Sequence, residues 1–119
     1  MKPTLVIGAS ENPDRYSYKA IEMLRDHQHE VFAYGLKAGR VCDVEFMTEK
    51  NPVKPHTVTL YVGAKNQDTE LRRYILSLKP QRVIFNPGTE NPQWEAELNN
   101  YDITTEEACT LVLLQTGQY

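Results

Sequence analysis

Four short apolar runs punctuate the chain: TLVIGA (Thr4 to Ala9), EVFAY (Glu30 to Tyr34), TVTLYV (Thr57 to Val62) and RVIF (Arg82 to Phe85). Each is short and rich in β-branched or aromatic side chains, as strands buried on both faces are. Between them the period changes. Ala20, Ile21 and Leu24 fall on one helical face, with Ser17 placed as the N-cap. Leu71, Ile75 and Leu78 repeat at helical spacing until Pro80 ends the segment. Asn91-Pro92 joins an N-cap to a proline at the first helical position, and Trp94, Leu98 and Tyr101 supply the apolar stripe that follows.

Strands alternating with helices predict an α/β fold, a mostly parallel sheet covered by helices on its faces. The link from Gly35 to His56 is irregular. Its VCDVEF fits a short edge strand, and Asn51-Pro52 and Lys54-Pro55 make the rest a loop. Near the end, DITTEE reads as a short fifth strand, and ACTLVLLQTG reads as either helix or strand. There is no internal repeat, low-complexity tract or linker. A chain of 119 residues suits one compact domain, residues 1–119.

Composition narrows the classes. Hydrophobic residues at 40% and charged residues at 24% are ordinary for a soluble globular protein. No stretch approaches the roughly 18 apolar residues of a membrane span, and Met1-Lys2-Pro3 leads straight into a strand-like run with no secretory signal. Two cysteines, Cys42 and Cys109, make no disulfide framework and fit a reducing compartment, so the expected location is cytoplasmic. A net charge of -3 argues against a general nucleic-acid binder.

The strand ends carry the candidate chemistry. In open α/β sheets ligands bind beyond the carboxyl ends of the strands, near the point where strand order reverses. Gly8 closes the first run, and the helix that follows offers free N–H groups and the positive end of its dipole to a phosphate. Ser10 and Ser17 can add hydroxyl donors, and Arg15 a forked cation. The dinucleotide fingerprint G-x-G-x-x-G is not met, because GASENPDR has one glycine. After the second run, where a NAD-binding domain places an acid for the ribose, stand Lys37 and then Arg40. The third run leads to Gly63 and Lys65, the fourth to Asn86, Pro87, Gly88 and Thr89. Glycines at four strand ends, with Arg15, Lys37, Arg40 and Lys65 on one rim of an acidic protein, suit a ligand with several phosphates.

Catalytic candidates are weaker. Glu106 and Glu107 beside Cys109 disfavour a thiolate, and Cys42 has no histidine nearby in sequence. His27 and His29 are two apart and do not face one another on a helix, so they suggest no metal site. Glu90 reads as support for the start of the third helix.

The stretch VIGASENPDRYSYKAIEML resembles the opening of the small CoA-binding domain proteins: an apolar strand, G-A-S, a loop with N-P-x-R-x-S, then a helix. The same Rossmann-like domain begins the α subunit of succinyl-CoA synthetase. The resemblance runs from about Thr4 to Cys109. It is most specific at Gly8, Ala9 and Ser10 with Asn12, Pro13, Arg15 and Ser17. It implies a three-layer fold, a five-stranded parallel sheet in the order 3-2-1-4-5, a last strand at Asp102 to Glu106 followed by a helix, and a CoA pyrophosphate cradled by the first turn. The remaining binding candidates are Lys37, Gly63, Lys65, Asn86, Pro87 and Gly88. Two departures stand out: Tyr34-Gly35-Leu36-Lys37 replaces the family's Val-Asn-Pro, and Val62-Gly63-Ala64 replaces a proline-bearing end. A 3′-phosphate on the ligand would explain Lys37.

The expected function is non-catalytic binding of coenzyme A or an acyl-CoA, as carrier, sensor or docking module. The alternatives are a small NADP-linked oxidoreductase, one subunit of a split acyl-CoA ligase, or a degenerate scaffold for protein contacts. A protein partner or homo-oligomer stays open. A nucleic-acid or membrane partner is not expected.

Overall fold

The computed structural model describes residues 1–119. In chain order the elements are β1 (Thr4–Ile7), α1 (Tyr16–Asp26), β2 (Val31–Tyr34), β3 (Arg40–Val41), β4 (Val44–Met47), β5 (Thr57–Leu60), α2 (Thr69–Leu78), β6 (Arg82–Phe85), α3 (Pro92–Asn100), β7 (Thr104–Glu107) and α4 (Thr110–Gln115). A 3-10 turn at Ala64–Asn66 precedes α2.

The sheet runs β3-β4-β2-β1-β5-β6-β7. Every pairing is parallel except β3 with β4. The α/β, Rossmann-like expectation therefore holds, with seven strands instead of five. The strand order needs one correction. The run at Thr57 does not lie outside β2; it pairs with β1, Thr4 opposite Thr57. The place beyond β2 belongs to β4, from the VCDVEF segment, with Ala33 opposite Phe46. Counting β4 as the third parallel strand restores the sequence 3-2-1-4-5 and adds β7 as a sixth. The physical reason is length: β3 and β4 form a hairpin around Cys42, at φ 54, too short to show a period in sequence.

Side-chain alternation divides the core. Leu5, Ile7, Val58, Leu60, Val83 and Phe85 face α2 and α3, packing on Leu71, Ile75, Trp94 and Leu98. Val6, Ala33 and Ile84 face the other way, towards Ile21 and Leu24 of α1 and Leu114 of α4. Strands buried on both faces thus read as unbroken apolar runs. Two local expectations fail. Ser17 is not the N-cap of α1; that residue is Arg15, and Ser17 is buried in the first turn. Tyr101 lies beyond the end of α3 with 59% of its surface exposed, so the α3 stripe stops at Leu98.

Candidate ligand cleft at the strand ends

A cleft of about 860 Å³ opens along the carboxyl ends of the parallel strands. Its lining comes from four loops and from β4: the first turn, Leu36 to Ala38 after β2, Phe46 of β4, Tyr61 to Gly63 after β5, and Pro87 to Thr89 after β6. With neighbouring strands about 4.8 Å apart, the rim from β4 to β6 spans roughly 19 Å. The cleft is therefore a trough, suited to an extended ligand.

The first turn forms its centre. Gly8 has φ +92, and a Cβ there would sit 3.1 Å from the Tyr61 carbonyl oxygen, so the position accepts no larger residue without strain. The Gly8 and Ala9 amides both donate to the Tyr34 carbonyl, at 3.0 Å each. The loop then fixes itself: Asn12 N donates to Ser10 Oγ and Asp14 N to Asn12 Oδ1. Next comes α1, and its N-terminus is bare. In α2, Asp68 caps the Leu71 amide at 2.9 Å, and in α3, Asn91 accepts from Trp94 N at 3.3 Å. In α4 the Thr110 amide donates to Asn86 Oδ1. Arg15, at the N-cap of α1, accepts no such bond, and no acid lies in that helix's first turn. The amides of Tyr16, Ser17 and Tyr18 have no acceptor within the helix, and Tyr16 and Ser17 line the cleft.

Both signs of charge line the trough. Arg15 and Lys37 line it, and neither is in an ion pair. Its acids are Glu11 and Asp14, both in the first turn. Outside the lining, Glu90 accepts from Gly88 N at 2.9 Å, and burial together with the neighbouring Glu107 pushes the Glu95 carboxyl above its ordinary range. The floor includes Tyr61. Burial pushes its hydroxyl up to about 12, against the opposing pull of the neighbouring Thr110 and Thr59 hydroxyls.

Of the residues singled out in the sequence, Gly8, Ala9, Ser10, Asn12, Arg15, Ser17, Lys37, Gly63, Pro87 and Gly88 all line the cleft. Three do not. Pro13 is exposed in the turn and shapes the loop. Lys65 is exposed in the 3-10 turn beyond the cleft wall. Asn86 is turned into the protein, where its Nδ2 donates to Thr59 Oγ1 at 2.7 Å and to the Leu60 carbonyl at 2.8 Å. Arg40 is also withdrawn from the rim, by its ion pair with Glu45. The sequence reading missed Glu11, Leu36, Phe46 and Gln67. Gln67 is buried and ties two walls together by donating to the carbonyls of Val62 and Thr89. A glutamine in a loop carries no pattern that announces this.

The donor set fits a CoA-like ligand on structural grounds: uncapped amides, two hydroxyls and unpaired Arg15 at the centre of a trough, with unpaired Lys37 to one side. A Cβ at Gly88 would meet nothing within 4 Å, and one at Gly63 only the Gly88 carbonyl at 3.7 Å, so the β5–β6 wall is left open.

Comparison with known proteins agrees. A family model described as "CoA binding domain" matches residues 2–115. A crystal structure described only as that of an uncharacterized protein is 44% identical, with a TM-score of 0.95, covering 100% of this chain and 98% of the other. Cell-free ID.343 from Thermus thermophilus has a TM-score of 0.84 at 18% identity, over 99% of this chain and 90% of its own. A hypothetical protein from Pyrococcus horikoshii OT3 has a TM-score of 0.83 at 20% identity, over 95% and 81%. These last two show the fold. A search of curated proteins finds no match.

Proposed function

The chain belongs to the CoA-binding domain family, and we propose that it binds coenzyme A or an acyl-CoA in the strand-end trough without transforming it. The observation that carries this reading is the bare N-terminus of α1 inside the cleft. A pyrophosphate there would take hydrogen bonds from the Tyr16, Ser17 and Tyr18 amides and meet the positive end of the helix dipole. Ser10 and Ser17 would add hydroxyl donors and Arg15 a charged one. Lys37 on the β2 side, with no charged residue lining the Gly63–Gly88 end, favours one direction along the trough. The phosphorylated nucleoside would lie towards Lys37, Leu36 and Phe46, and the uncharged pantetheine arm towards Gly63 and Gly88. Lys37 would face the 3′-phosphate.

The two cysteines stand outside the lining. Cys109 instead precedes α4 as its N-cap residue. When bound, CoA supplies a thiol, or a thioester if acylated; the protein's part is to hold the nucleotide. The role that follows is that of carrier, sensor or docking module. Isothermal titration tests it: CoA binds, and dephospho-CoA binds more weakly. Failure of both to bind at millimolar concentration removes the proposal, whereas equal affinities remove only the role of Lys37.

A further inference from the structure

An acid in an anion-binding turn needs a reason. Glu11 lies within the first turn and lines the cleft, where its charge opposes the binding of phosphate. Its carboxylate is nonetheless committed. Glu11 Oε2 accepts from the Arg40 amide at 2.9 Å, across to the far end of the loop that carries Lys37. The same contact explains Gly39. A Cβ there would sit 2.8 Å from Glu11 Cγ and Cδ and 3.0 Å from Phe46 Cδ2. The Gly39 carbonyl in turn accepts from Phe46 N at 2.8 Å, so the loop is gripped by Glu11 on one side and by β4 on the other.

We propose that Glu11 is a positioning residue: it latches the Lys37 loop to the first turn, and the preference for a ribose bearing an extra phosphate depends on it. The inference rests on the proposed CoA reading. Glu11 acts through the loop and holds the Lys37 ammonium over the trough. The cost is a negative charge near the phosphates, offset by the loop's fixed position.

Titration of CoA and dephospho-CoA into Glu11→Ala, Glu11→Gln and Gly39→Ala tests the latch. Glu11→Ala should weaken CoA and cut its preference over dephospho-CoA by about tenfold. Dephospho-CoA, whose pyrophosphate loses a nearby negative charge, should not weaken. Glu11→Gln keeps an oxygen that can accept from the Arg40 amide and should restore most of the preference. Gly39→Ala should reproduce the Glu11→Ala loss, and the double variant should add little to it, as expected for two residues in one contact. Without ligand, hydrogen exchange at the Arg40 amide should quicken in Glu11→Ala. Tightening of both ligands in Glu11→Ala and Glu11→Gln alike would make Glu11 merely a repelling charge and overturn the latch. Equal weakening of both ligands, an unaltered preference in Gly39→Ala, or no preference in the wild type would also overturn it. All of these leave CoA binding itself standing. Absence of CoA binding to the wild type would instead defeat the underlying reading.

Discussion

Asn86, directly after β6, and Arg15, in the turn between β1 and α1, both read in sequence as polar candidates beyond a strand, yet the structure gives them opposite work. Arg15 lines the trough unpaired. Asn86 is 2% exposed and joins three elements: it donates to Thr59 on β5 and to Leu60, and it accepts from the Thr110 amide at the start of α4. Thr59 and Thr110 are themselves hydrogen-bonded at 2.8 Å. Buried groups that lose such partners carry the full desolvation penalty. Asn86→Ala should therefore cost about 2–3 kcal/mol in stability, read as a lower urea midpoint at unchanged slope. CoA affinity in the folded protein should change far less than in any Arg15 variant. The reverse pattern, stability kept and binding lost, would place Asn86 back among the ligand contacts. Sequence could not separate the two residues, because the direction of a side chain at a strand end depends on long-range packing.

At the scale of elements, α1 is a helix left incomplete. Its N-cap position has the extended backbone a capping residue needs, φ -81 and ψ 141, but holds an arginine that cannot accept. Arg15→Asp should cap the free amides and stabilise the protein by about 1 kcal/mol, raising Tm by a few degrees. The same substitution should weaken CoA more than tenfold, by filling the anion seat and reversing a charge. A variant that is both less stable and unchanged in binding would contradict this view of α1. Three helices and four of the strands are legible because their patterns are carried by buried side chains, in the helices Ile21 and Leu24, Leu71 and Ile75, Trp94 and Leu98; α4, six residues long, reads equally as helix or strand from its own pattern. β7 showed only as a short polar run, with Thr104 and Glu107 exposed and Thr105 and Glu106 half-buried. β4 escaped placement because its four residues follow a hairpin closed by a positive-φ Cys42. The sequence points to Ser17 as the cap because serine beside a helical face is the stronger local cue, whereas the chain enters the helix two residues earlier, at Arg15.

Across the whole molecule, the two core clusters fix the sheet so that the parallel strands β4, β2, β1, β5 and β6 end on one rim, and the loops there assemble a single trough. No helix is long and apolar enough to cross a membrane. Most of the trough was readable from the turn after β1 and the glycines beyond the other strands. What was not readable was which cations face it, since Arg40 is claimed by Glu45 and Lys65 lies outside the wall. The central claim is that the uncapped start of α1 holds the pyrophosphate. It is tested most directly by following backbone amide resonances while CoA is titrated. The largest shifts should fall on Ser10 to Tyr18, with smaller ones at Lys37 and Gly88. Saturable binding that moves only the opposite rim, around Lys79 to Thr104, or that leaves the Tyr16, Ser17 and Tyr18 amides in place, would contradict the account.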